Sequence, residues 1–164
     1  MDDIMQRLLD YKRSYAIWAR GHYLASARQA HRNYRLGVPS VVISAVVGTS
    51  IFGTIGSSPE LGWRIAAGLF SISAAILASL QTFFRFAEYA ERHLEAGRRY
   101  GQVRRKLEYL ELKYRQADAS RRDEALTDLA ELYDALAMAE EKSPAVPDSC
   151  WKQAQREGEE RNRR

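Results

Sequence analysis

Charge disappears from the chain in two places. No Asp, Glu, Lys or Arg occurs from Leu36 to Pro59, nor, after the short turn Glu60 to Arg64, from Ile65 to Phe84. About 20 apolar residues at a rise of 1.5 Å each cross a hydrocarbon core of roughly 30 Å, and both runs reach that length. Each is rich in Leu, Ile, Val and Phe, which favour insertion by roughly 0.3 to 0.6 kcal/mol apiece before Ser, Thr and Gly subtract. The pattern predicts a transmembrane hairpin with spans over about 36–57 and 65–84. The alternative, two buried helices of a soluble domain, asks 164 residues to enclose two helices that are apolar all round, which so short a chain scarcely can.

On either side the spacing is that of amphipathic helices. Before the hairpin, Ile4, Leu8, Tyr11, Tyr15, Trp18, His22 and Ala25 alternate gaps of four and three, a heptad stripe of coiled-coil type. After it the same gaps join Phe86, Tyr89, His93, Ala96, Tyr100, Val103, Leu107, Leu110 and Tyr114, which predicts one long helix running out of the second span. An antiparallel hairpin brings its outer ends together, so the two stripes are natural partners, through Tyr11, Tyr15 and Trp18 against Val103, Leu107 and Leu110. Gly21 marks a bend, and Gly37 with Pro39 a break where the first helix meets the membrane. Ser120 to Asp123 resembles a capping box opening a last helix with Leu126, Leu129, Tyr133 and Leu136 on its apolar face, ended by Pro144 and Pro147. No strand signal is present.

The predicted fold class is therefore an all-α membrane protein, a two-span helical hairpin whose N- and C-terminal cytoplasmic helices pack as a bundle. Its parts are an amphipathic helix (1–35), the hairpin (36–84), cytoplasmic helices (85–142) and a flexible charged tail (143–164).

Composition changes this picture in few respects. The mean hydropathy of −0.44 is an average over an apolar hairpin and two charged arms. The first run follows a long polar segment and is flanked by Lys and Arg, unlike a removable signal peptide. Seven Lys or Arg precede the hairpin, from Arg7 to Arg35, and seven follow it up to Lys106, whereas the turn holds Arg64 alone. The asymmetry places both termini in the cytoplasm. A net charge of +4 raises the question of nucleic acid, but orientation and attraction to anionic lipid account for the basic residues, so the expected partner is membrane lipid and not nucleic acid. The single cysteine, Cys150, excludes an intrachain disulfide and suits a reducing compartment.

Candidate chemistry is sparse. Ser40, Ser44 and Gly48 stand four apart, as do Ala67, Ser71, Ala75 and Ser79. Such small-residue stripes let helices approach closely in lipid and pack the spans together. The other reading is that Ser44, Thr49, Ser71, Ser79 and Thr82, with Gln81, line a water path in an assembly of hairpins. With no ionisable group inside either span, a proton relay or a charged ring there is not expected. His22 and His31 lie on different helix faces and suggest no metal site, and His93 reads as an interface histidine. Gly48 to Gly53 lacks the Lys and Ser/Thr of a phosphate loop, and no nucleophile set or cofactor loop is found, so neither cofactor nor catalysis is expected.

The run Tyr34 to Thr49, containing Pro39 and Gly48, and the later run Thr82-Phe83-Phe84-Arg85-Phe86-Ala87-Glu88-Tyr89-Ala90-Glu91-Arg92-His93 with Ala96 to Tyr100 together resemble the SLATT domain, over roughly Asp10 to Leu136. The resemblance implies a bacterial two-span effector of anti-phage type conflict systems, found beside nucleotide second-messenger synthases and nucleotide sensors. It further implies that the chain opens pores or otherwise breaches the bacterial inner membrane when a separate sensor is triggered, and since two spans cannot enclose a water path, a channel asks for a homo-oligomer joined through the small-residue stripes. The residues themselves leave open whether the hairpin conducts or only anchors an interaction module.

Overall fold

The computed structural model describes residues 2–53, 60–115 and 121–163, all helix apart from short connections: α1 Asp2–Gly53, α2 Leu61–Phe84, α3 Phe86–Tyr114, α4 Arg122–Glu141 and α5 Asp148–Arg163. The turn expected at Glu60 to Arg64 is instead helical from Leu61 on, and the end of the first expected span (54–57) and the capping Ser120 lie outside the described residues; α4 starts from Arg121, whose Nε donates to Glu124 Oε2 at 2.9 Å. The chain divides into two compact units, one formed by Met1–Ala27 with Ala90–Arg164, the other by Arg28–Tyr89.

In the first unit the two heptad stripes meet as their spacing predicts. Leu8, Tyr15, Val103, Leu107 and Leu110 share one buried cluster with Leu129, Leu132 and Leu136 of α4, and Tyr11 and Trp18 pack against it. The buried face of α4 is Ala125, Leu129, Leu132, Leu136 and Ala139. Leu126 and Tyr133, expected on that face, are half exposed, because the row Ala125, Leu129, Leu132, Leu136 and Ala139, four and three residues apart, sets the contact and leaves these two at its edge. The Tyr133 ring still stands edge-on to Tyr11 at 5.6 Å. Lys113 ties α3 to α4 through Asp128 at 2.8 Å and Glu124 at 3.0 Å.

The segment expected to be a flexible charged tail is instead a packed helix. Pro147 O accepts from the backbone N–H groups of Cys150 (2.9 Å) and Trp151 (3.0 Å) as α5 begins. Cys150 and Ala154, one turn apart, are buried, the Trp151 ring lies 4.3 Å from Trp18, and Arg20 Nε donates to Glu157 Oε2 at 2.5 Å. Composition misleads here because two small residues and one tryptophan make the contact, while the charges remain in water on the other faces. Gly21 serves this contact and not a bend: a Cβ added there would lie 3.3 Å from Val146 Cγ1 and 3.7 Å from the Trp151 ring.

In the second unit α1 continues through Gly37 and Pro39 without the expected break. Proline costs a helix one backbone hydrogen bond and crowds the preceding turn, but long helices accommodate it by bending. The break falls elsewhere. Arg85 has φ 47° and ψ 38°, a left-handed conformation at a non-glycine residue, and it separates α2 from α3 where one continuous helix was expected. Left-handed backbone costs an L-residue roughly 1–2 kcal/mol. The junction is held by Tyr89 N–H donating to Arg85 O at 3.1 Å and by an Arg85–Glu88 ion pair.

Candidate functional site

Within the second unit α1 and α2 meet through a few polar groups. Ser40 Oγ donates to Ala74 O at 3.2 Å, and Gln81 Nε2 donates to Asn33 Oδ1 at 2.9 Å. Gly37 makes room for this amide, since a Cβ there would lie 2.9 Å from Gln81 Nε2. Interhelical hydrogen bonds of this kind contribute about 0.6 kcal/mol on average in lipid, and more in the best cases. Val47 and Ala74 fill the remaining contact as buried apolar residues.

The structure thus separates the candidate residues into two groups. Ser40 and Gln81 join the two helices of one hairpin. Ser44, Thr49, Ser71, Ala75, Ser79 and Thr82 are exposed, and an added Cβ at half-buried Gly48 would meet nothing within 4 Å. The hydroxyls of Thr49, Ser71 and Thr82 donate to carbonyls of their own helices, at 2.9 Å to Ala45 O, 2.9 Å to Ala67 O and 3.1 Å to Ala78 O. A donor satisfied in this way can face hydrocarbon at little cost. Sequence spacing detects both groups of small residues but not which group faces inward.

The apolar side chains face outward as well. Val41, Val42 and Val46 of α1, and Ile65, Leu69, Phe70, Ile72 and Ile76 of α2, are exposed. Among the described residues one helical stretch, Leu61–Tyr114, is long and apolar enough to cross a membrane; its apolar window has a mean hydropathy of 1.6 and is only 6% buried. The core helix of a soluble protein would bury such a window. Of the remaining family-motif positions, Phe84 stacks on Phe86 with ring centroids 5.3 Å apart, Glu88 pairs with Arg85, and Pro39 lies within α1.

His93 and Tyr100 belong to an aromatic group in the bundle that sequence reading finds only in part. His22 and His93 face each other at 3.1 Å between their Nδ1 atoms, both buried. The His22 and Trp18 rings stack on Tyr100 at 5.2 and 5.9 Å. The pairing joins two heptad stripes 71 residues apart, and spacing within one helix carries no sign of it. One Nδ1 must carry the hydrogen that the other accepts, which suits a neutral pair. Burial, followed by the neighbouring His93, pushes His22 down to about 4, and burial lowers His93.

A pH dependence follows. Above the ordinary histidine value of 6.5 His22 is neutral in both folded and unfolded chains and contributes no pH dependence. As pH falls from 6.5 towards 4 the unfolded chain takes up the proton and the folded chain does not, so stability drops through that window, by about 3 kcal/mol in full. Urea unfolding of the full chain in detergent at pH 7 and pH 4.5 should show the drop, and His22→Gln should reduce it. An unchanged drop in that variant would place the acid sensitivity elsewhere.

No curated protein and no solved structure matches the chain. A family sequence model, that of the SMODS and SLOG-associating 2TM effector domain family 4, matches residues 15–157, which extends through α4 and most of α5, beyond the stretch that carried the resemblance. The family's name denotes a two-transmembrane effector, which agrees with an exposed apolar helix long enough to cross a membrane. With most of its length matched, the chain belongs to SLATT family 4.

Proposed function

We propose that this chain is an effector that spans the bacterial inner membrane twice with both termini in the cytoplasm, oligomerises there, and opens a pore or otherwise breaches the membrane when a separate nucleotide-linked sensor is triggered. The observation that carries the reading is the outward apolar surface of α2, which needs a non-aqueous medium. Two spans cannot enclose a water path, so conduction requires several copies. The exposed Ser44, Thr49, Ser71, Ala75, Ser79 and Thr82, with Gly48, support self-association, because small residues let a neighbouring helix approach closely where hydrophobic drive is absent. The Lys/Arg distribution supports the orientation.

A second reading, a membrane-anchored interaction module without conduction, is favoured by one detail. The hydroxyls of Thr49, Ser71 and Thr82 are satisfied by their own helices and need no water. A membrane-potential dye in cells induced to express the chain, with and without its sensor, separates the two. Depolarisation is expected on activation, with reporters fused to either terminus active only in the cytoplasm. An unchanged potential with the sensor active would put the anchor reading in its place.

A further inference from the structure

A groove of about 160 Å³ opens between α1, α3 and α5 of the bundle. Lys12, Arg13, Arg20, Arg104 and Arg161 line it against two carboxylates, Glu108 and Glu157, a surplus of three positive charges. The ion pairs do not use this surplus evenly. Glu157 accepts from Arg20 at 2.5 Å and from Gln153 at 3.0 Å, so both its oxygens are engaged. Lys12 is held by Glu111 at 2.6 Å, and Arg104 lies 3.6 Å from Glu108. Among the described residues no hydrogen bond or close ion pair engages Arg13 or Arg161, although the Arg161 charge helps hold Glu157 below the usual carboxylate range. The floor is apolar, made by Ala16, Ile17, Ala154 and Gly158. Gly158 keeps it open and close: a Cβ there would lie 3.2 Å from Ile17 Cγ1.

We propose that this groove binds a phosphate monoester, its phosphate clamped by Arg13 and Arg161 and its short carbon portion resting on the Ile17 and Gly158 floor. Two guanidinium forks free of hydrogen bonds, of which Arg161 feels only the charge of the already engaged Glu157, match the charge of a phosphate dianion better than that of a single carboxylate. The positive walls raise the local concentration of such an anion. Size decides the rest. Sites for drug-sized ligands run from roughly 300 Å³ upward, so what the groove itself holds is a phosphate with a few carbon atoms. The same chemistry is found in a soluble phosphate ester and in the headgroup of phosphatidic acid. The inference does not depend on whether the hairpin conducts.

Calorimetric titration of the full chain in phosphatidylcholine nanodiscs with glycerol 3-phosphate tests it. Saturable binding is expected, with glycerol itself giving none. The double variant Arg13→Gln with Arg161→Gln, both on exposed helix faces, should weaken binding by at least about tenfold, since it removes the charge-assisted hydrogen bonds to the phosphate. Arg98→Gln, an exposed position of α3 outside the groove, should leave binding unchanged, and circular dichroism should show all variants folded. Competition by phosphatidic acid added to the nanodiscs assigns the lipid headgroup as the source, and its absence assigns the free ester. No saturable binding, or an equal loss with Arg98→Gln, overturns the proposal.

Discussion

Leu107→Ala is expected to destabilise the bundle by about 2–5 kcal/mol, the range for emptying a fully buried leucine site whose surroundings collapse only in part. Leu107 is 0% exposed and shares its cluster with residues of α1 and α4, so the cavity would lie where three helices meet and no single side chain can move to fill it. The full chain in detergent, unfolded with urea and followed by fluorescence, provides the measurement. Trp18 and Trp151, in contact at 4.3 Å, report on the bundle, while Trp63 in the other unit contributes a background that the substitution should leave alone. Leu112→Ala, at an exposed position of the same helix, serves as the control and should change stability by no more than about 0.5 kcal/mol. If the two variants unfolded at the same urea concentration, the cluster around Leu107 would not be the core of this unit.

What the sequence discloses of this fold follows from how many residues vote for a feature. The stripes of α1 and α3 run over many turns with unbroken gaps of three and four, and from Leu8 onward their residues are buried or, at Tyr11, Trp18 and Phe86, half-buried, with Tyr89 of α3 exposed. The expected α4 face depends on four residues and is displaced, because Ala125, Leu132 and Ala139 are buried where Leu126 and Tyr133 are half exposed. At α5 the apolar vote is smaller still, and charge density conceals a helix anchored by Cys150, Ala154 and Trp151. Single-residue signals mislead in both directions. Pro39 suggests a break that a long helix absorbs, while Arg85, which carries no turn signal, adopts the left-handed conformation that ends α2. For the candidate site, spacing finds the small residues of both hairpin helices, but spacing is the same whether a stripe faces its own hairpin or away from it. Only the packing of Ser40 on Ala74 and of Gln81 on Asn33 tells which side is inside. The histidine pair joins two distant stripes and cannot be read from either alone.

That orientation makes the last prediction sharper than spacing alone allows. Under the proposed function, Gly48→Leu and Ser71→Leu should each abolish membrane depolarisation while the protein remains in the membrane. Had these residues packed one span on the other, a leucine would have wedged the hairpin apart, and loss of activity would mean only misfolding. Instead an added Cβ at Gly48 meets nothing within 4 Å, and Ser71 is exposed, so the hairpin has room for either side chain. Leucine also favours insertion, by roughly 0.3 to 0.6 kcal/mol, so anchoring should not suffer. What the larger side chains would obstruct is the close approach of a second copy, on which association in lipid depends. Ser40→Leu is the contrasting variant: Ser40 is buried and donates to Ala74 O, so leucine there should disturb the hairpin itself, seen as reduced protein in the membrane fraction. Crosslinking in membranes, dye fluorescence and fractionation of the same cells give the three readouts. Loss of both oligomer and depolarisation at normal membrane levels is the expected pattern for Gly48→Leu and Ser71→Leu. If both variants still crosslink and still depolarise cells as the parent does, the exposed small residues do not build the assembly, and its contacts must be sought on another face.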